Sequence, residues 1–282
     1  MQKTVFSPKA VPEIKPQAPP GSMGRPQKSF YQKHEALILG GGSVLVVMAI
    51  WQACWAAGWI SPLFFSGPSA IAARFWDELL HGRLRADMRY SGLNFVLGFG
   101  MALVLGVVLG VVIGWYRRIE MLFNPFLSAL YAIPRVAMIP LIIIWFGIGV
   151  WSKVFIVFMT AFFPILVNTV GGIKATDADL LRAARAFCAS DWQIFTTLAI
   201  PGAVPFILTG IRQGVALGLI GVVVGEMFGG SEGIGFMVAY GSQTFDTAQL
   251  FVGVLVIAFA GILLTLLTER LERHFSRWRP ER

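Results

Sequence analysis

Residues 91–116 read SGLNFVLGFGMALVLGVVLGVVIGWY, twenty-six consecutive positions without an Asp, Glu, Lys, Arg or His. A helix of that length, at about 1.5 Å per residue, covers about 39 Å and exceeds the roughly 30 Å hydrocarbon core of a bilayer. A helix satisfies its own backbone polar groups, so it can cross lipid without water. Five further stretches have the same character, at about 36–59, 122–144, 154–173, 204–225 and 248–268. The third of the six contains Pro125, Pro134, Arg135 and Pro140, so a kinked or broken helix is expected there. The fold class expected is all-α: a polytopic membrane protein with six transmembrane helices.

Composition agrees. Of 282 residues 56% are hydrophobic and 13% charged, with a mean hydropathy of +0.70, whereas a soluble domain carries about 25% charged residues. An ordinary cytosolic enzyme, a disordered regulator and a disulfide-stapled secreted module are excluded. The net charge of +8 reads as a topology signal rather than a nucleic-acid footprint, because cytoplasmic loops collect Lys and Arg. With the amino terminus inside, sixteen basic residues fall on the cytoplasmic side: six in the leading tail, Arg117 and Arg118, Lys174, Arg182 and Arg185, and five after the last apolar stretch. Five fall outside, namely Arg74, Arg83, Arg85, Arg89 and Lys153. Both termini are expected in the cytoplasm. Cys54 and Cys188 then lie on opposite sides and form no pair.

Residues 1–35 are rich in Pro and scattered charge and lack an apolar signal-peptide core, so a disordered cytoplasmic tail is expected. Residues 36–90 hold the first span and a periplasmic segment, in which Ile71, Phe75, Leu79 and Leu80 suggest one apolar helix face. Residues 91–270 form the core domain, with a long cytoplasmic loop at 174–203, and residues 271–282 are a cytoplasmic tail. Gly106, Gly110 and Gly114 make a small-residue face suited to close helix contact, either at a dimer seam or within one subunit.

The loop is the informative part. Residues 176–201 read TDADLLRAARAFCASDWQIFTTLAIP. Thr176 or Asp177 can cap a short helix, with Leu180, Ala184 and Phe187 on one apolar face and Arg182 and Arg185 on another. Ser190 with Gln193 has capping-box spacing for a second short helix, and Pro201 is expected to break the chain before the fifth span. From the residues alone, docking to a partner and lying on the lipid surface are equally open.

At these residues the chain resembles the integral membrane subunits of binding-protein-dependent ABC importers. Their cytoplasmic signature is Glu-Ala-Ala, three residues, Gly, nine residues, then Ile-x-Leu-Pro, and Ala183, Ala184, Leu198, Ile200 and Pro201 stand in register with it. Arg182 replaces the Glu and Cys188 the Gly; if the helix end is left-handed, a Cys there costs about 1–2 kcal/mol. The nitrate, sulfonate, taurine and bicarbonate branch is resembled further by Ser61-Pro-Leu-Phe-Phe, Ile133-Pro-Arg-Val-Ala-Met-Ile-Pro-Leu, Trp145-Phe-Gly-Ile-Gly149, Phe163-Pro-Ile-Leu, Gly210-Ile-Arg, Gly225-Glu-Met and Gly233-Ile-Gly-Phe-Met. Asn94 departs where many relatives have Arg.

The resemblance implies a type I ABC importer transmembrane domain in the bacterial inner membrane. It implies a homodimer working with two ATPase subunits and a periplasmic or lipid-anchored substrate-binding protein. The ATPase-coupling residues would be Asp177, Leu180, Arg182, Ala183, Ala184, Arg185, Phe187, Cys188 and Pro201. No Gly-Lys-Ser or Gly-Lys-Thr phosphate loop occurs, so the chain is expected to be no enzyme and to hold no cofactor, ATP being bound by the partner ATPase. Substrates implied are small anions such as a sulfonate, taurine, nitrate or an aromatic carboxylate.

Arg135, Arg212 and Glu226 sit in or beside spans, where an unpaired charge is costly. They are the translocation-path candidates; the other reading is that they pair with one another or with carbonyls freed by Pro134 and Pro140. Partners expected are therefore protein subunits and membrane lipid, with no nucleic acid and no metal. An ion-coupled secondary transporter is the alternative, but it normally uses mid-membrane acids or inverted repeats, which this sequence does not show. A membrane-embedded enzyme is weaker still, since His34, His81 and His274 all lie outside the spans.

Overall fold

In the computed structural model the described backbone covers residues 30–275 and the described side chains residues 39–273. Most of the tail read at 1–35 and the last seven residues lie outside the described residues. Thirteen segments follow in order, all helical. They are α1 (Phe30–Ala56), α2 (Pro68–Leu80), α3 (Leu84–Trp115), α4 (Arg117–Ala132), a 3-10 turn (Arg135–Met138), α5 (Ile139–Phe146), α6 (Val150–Lys174), α7 (Ala178–Ala186), α8 (Asp191–Ile194), a π-helical turn (Phe195–Ala199), α9 (Ile200–Gly229), α10 (Ile234–Gln243) and α11 (Thr247–Phe275).

Five helices are long and apolar enough to cross a membrane, and α4 with α5 make a sixth crossing if counted as one span. That pair is bent by 89° at Ile133–Pro134, as the prolines of the third stretch led us to expect. α1 begins at Phe30, inside the stretch read as tail. Contacts divide the chain after Ala49 into two units. The first contains the leading part of α1, whose Leu45, Val46 and Val47 are exposed. Everything from Ile50 onward belongs to the second.

Within the second unit α6 is the axis. Val157, Ala161, Ile165 and Leu166 have no solvent exposure at all, because glycine faces of α3 and α9 lie directly against them. A Cβ at Gly110 would come 2.6 Å from Thr169 Cβ, and one at Gly98 would come 2.5 Å from the Val154 carbonyl oxygen. Gly106 and Gly114 stand in the same way over Ile165 and Ile173. On the other side Gly210, Gly214 and Gly221 meet Ile165 and the backbone of α6. The small-residue face of α3 is therefore a contact inside one subunit. In lipid there is no water to drive helices together, and close backbone approach is what supplies dispersion contact.

A second core lies at the end of the helices away from the 174–203 loop, designated the outer end. Ile71, Leu84, Ile234, Met237 and Val252 are buried together, with Trp51, Phe75, Leu79 and Phe251 packed around them. α2 thus buries the face carrying Ile71, Phe75 and Leu79, while Leu80 remains 59% exposed and does not join it. Arg74 of α2 reaches Asp246 (3.1 Å) and Gln249 (3.2 Å), tying α2 to the start of α11. By contrast α4 buries none of its residues.

Gly110→Ala is expected to lower stability by about 1–3 kcal/mol, the usual range for an overpacked contact. Fluorescence-detected size exclusion after a temperature ramp reads this as a lower melting point, with Gly100→Ala, where a Cβ meets nothing within 4 Å, unchanged.

Candidate functional site

The loop between α6 and α9 folds as a capped arm. Asp177 accepts the Asp179 backbone N–H at 2.8 Å and caps α7. At the other end the Cys188 N–H donates to the Arg185 carbonyl (2.9 Å) and the Ala189 N–H to the Ala184 carbonyl (3.0 Å). Those two bonds form a Schellman termination with Cys188 left-handed at φ 59°. The sequence anticipated that conformation from the Gly of the signature; the cost of about 1–2 kcal/mol is accepted here by a residue with a Cβ. Ser190 and Gln193 make the reciprocal capping box, at 3.3 and 2.8 Å.

One expectation changes. Pro201 does not break the chain: helix runs without interruption from Asp191 to Gly229 as a 39-residue rod. The π-helical turn Phe195–Ala199 precedes Pro201, and the Ile200 N–H reaches back to the Phe195 carbonyl. The widened turn lies directly ahead of the ring, which has no N–H to donate, and the helix continues through it. Leu198 lies in that turn. Trp115 of α3 stacks edgewise on Phe195 (4.9 Å), and Ile173, Ala199 and Ala203 are buried around it. The arm is thereby rooted in the transmembrane core.

What the arm presents is apolar. Leu180 is 54% exposed, Phe187 88% and Trp192 70%. Ala184 is half-buried and Ala183 exposed. Arg182 pairs with Asp179 of the same helix, and Arg185 is exposed. Three large apolar side chains in solvent beside two arginines mark a surface made to be covered.

The intramembrane charges do not converge. Arg212 of α9 pairs with Glu272 of α11. Glu226, without solvent exposure, accepts from Ser91 Oγ (2.8 Å), Asn94 Nδ2 (3.0 Å) and the Gly235 N–H (2.9 Å). Ser91 in turn accepts the Ile234 N–H at 2.8 Å, and Asp87 the Gly233 N–H at 2.9 Å. Gly233 has φ 101°, and a Cβ there would come within 2.3 Å of the Glu226 carboxylate. Lys153, 2% exposed, donates to the Gly229 carbonyl at 2.5 Å. Glu226 is thus a pin joining α3, α9 and α10 at the outer end. Its partners were not apparent in the sequence, although the Gly233-x-Gly235 pattern near an acid was a usable signal. Arg135 stands apart, at the bend, with its guanidinium carbon 5.3 Å from the Tyr131 ring centroid and 5.5 Å from that of Phe163.

Residues 102–279 match the family model described as the binding-protein-dependent transport system inner membrane component. The chain belongs to this family. SsuC of Bacillus subtilis, named for aliphatic sulfonate transport, is 34% identical over 83% of this chain and 85% of its own length. RibX of Chloroflexus aurantiacus, a riboflavin transport system permease protein, is 35% identical over 84% of this chain and 88% of its own. TauC of Escherichia coli, a taurine transport system permease protein, is 29% identical over 85% of this chain and 89% of its own. Among solved structures, a chain of the inward-facing MetNI methionine ABC transporter superposes with a TM-score of 0.60 at 17% identity, covering 70% of this chain and 98% of that one. The fold is that of a type I ABC importer transmembrane domain, and the chain is a permease subunit, not itself catalytic.

Two outcomes follow for this permease. Glu226→Ala leaves three donors without an acceptor, each loss costing about 1–3 kcal/mol, so a large drop in melting point is expected while Glu232→Ala, at an exposed position, has little effect. Cys188→Gly removes the left-handed penalty, and hydrogen exchange at the Cys188 and Ala189 amides is expected to slow several-fold.

Proposed function

We propose that this permease imports a small organic anion of the sulfonate class, handed over by a substrate-binding protein and driven by a separate ATPase that grips α7. The observation that carries the coupling role is the arm itself, an apolar surface of Leu180, Phe187 and Trp192 on a capped and rooted support. Beside it, Asp177 and the Schellman end at Cys188 hold α7 in shape, and Ala183 and Ala184 allow a close approach. Arg182 and Arg185 supply charge at the rim, and the π turn before Pro201 joins the arm to α9.

The excess of Lys and Arg on one side supports a multi-pass chain with both termini in the cytoplasm, which puts α7 there too. Two copies would pair through the unburied surface of α4 and α5, where Phe126, Tyr131, Ile144 and Trp145 are exposed. The sulfonate reading is supported by likeness to SsuC and TauC and by a partly buried cation, Arg135, at the bend between α4 and α5. RibX supports a second reading, a neutral heterocyclic substrate. Secondary transport is disfavoured because Glu226, the buried acid, already serves three hydrogen-bond donors in holding helices together.

The test is purification of the tagged chain expressed with its genomic neighbours, then uptake into proteoliposomes. An ATPase with a phosphate loop should copurify, and Leu180→Asp with Phe187→Asp should reduce its recovery at least tenfold. Labelled taurine should accumulate only with internal or external ATP available to that ATPase. Riboflavin uptake in its place would replace the substrate class, and uptake by the chain alone without ATP would overturn the importer reading.

A further inference from the structure

α4 and α6 run antiparallel with two facing stripes. Asn124, Leu127, Ser128 and Tyr131, spaced i, i+3, i+4 and i+7 on α4, line a cleft of about 320 Å³ whose other wall is Leu166, Val167 and Val170 of α6. Phe163 continues the second stripe by one turn, and its ring meets that of Tyr131 edgewise at 6.4 Å. Arg135 lies over both rings. Through Tyr131 it stands beside one end of the cleft, just past the 89° bend at Ile133–Pro134.

The chemistry of that end is unbalanced. No carboxylate among the described residues pairs with Arg135, and its Nε is buried without a hydrogen-bond partner. Aromatic faces hold a guanidinium through its flat side and leave its in-plane N–H donors unused. A cation within a membrane-spanning region normally has an anionic or carbonyl partner. The cleft beside it offers the hydroxyls of Ser128 and Tyr131, the Asn124 amide and otherwise apolar walls, and no acid.

We infer that this cleft is a binding site for a small amphipathic organic anion, its sulfonate or carboxylate against the Arg135 fork and its short alkyl part between the α4 and α6 stripes. The inference rests on the reading of the chain as an importer of organic anions. Planar N–H pairs match the paired oxygens of such a headgroup, which a Lys point charge matches less well. Ser128 and Asn124 sit where a second polar group on the anion would fall.

The test uses the full chain with its ATPase in nanodiscs, without binding protein, titrated calorimetrically with butane-1-sulfonate and with the neutral butane-1-sulfonamide. The sulfonate should bind at least tenfold more tightly than the sulfonamide. Arg135→Gln should cost the sulfonate tenfold or more and remove the preference, with Arg135→Lys between. Ser128→Leu, which fills the cleft and leaves the cation and both rings in place, should weaken both ligands. Equal binding of the two ligands by the unaltered complex, or sulfonate binding unchanged in Arg135→Gln, would overturn the site. If Arg135→Gln does not assemble with the ATPase, Ser128→Leu decides alone, and unchanged sulfonate affinity there overturns it. A complex that binds butanesulfonate with the stated preference yet takes up riboflavin and no taurine upholds the site and rejects the substrate class proposed above.

Discussion

Backbone-close packing of α6 against glycine faces on both sides is the constraint from which the remaining architecture follows. With Gly98, Gly110 and Gly114 of α3 on one flank and Gly210 and Gly214 of α9 on the other, three helices are set at separations that no Cβ would allow. Lipid offers no hydrophobic drive for such contact, so shape must supply it. Once the three are fixed, their outer ends bring Ser91, Asn94 and Glu226 within hydrogen-bond reach. Their opposite ends bring Trp115 onto Phe195. α4 is left outside this cluster, free to bend and to expose its apolar side.

The two ends of α9 then belong to one continuous helix. From Asp191 to Gly229 the helix is continuous, a length of about 58 Å at about 1.5 Å per residue. Its leading end carries the capped arm with Phe187 and Trp192. Its outer end carries Glu226, whose carboxylate holds α3 and the start of α10. The π turn and Pro201 both lie within that continuous run. The buried acid is best understood in that setting. It accepts three hydrogen bonds at a junction of α3, α9 and α10.

Much of this was legible in the residues, for local reasons. The bend at Ile133–Pro134 follows from proline chemistry, and the Ser190–Gln193 box and the Asp177 cap follow from side chains that bond to nearby backbone. The left-handed Cys188 was foreshadowed by the position of Gly in the signature that the loop resembles. Pro201 misled because a proline is normally read as a helix stop, and a π turn, which depends on how Phe195 and Ala199 pack against α3 and α6, is not encoded by any short pattern. Leu80 misled because an apolar residue at the edge of a stripe can point either way, and only the position of α11 settles which side is covered.

By itself the sequence determined the class of molecule, the number of apolar stretches, the break in the third and the caps of the loop, since each depends on residues within a few positions of one another. Tertiary structure decided the pairing of charges. Glu226 meets Ser91 across 135 positions and Asn94 across 132, and Arg212 meets Glu272 across 60. Those meetings depend on the packing distances of α3, α6, α9 and α11, and a charge in a membrane takes whichever partner the packing places beside it. Arg135 received two aromatic rings.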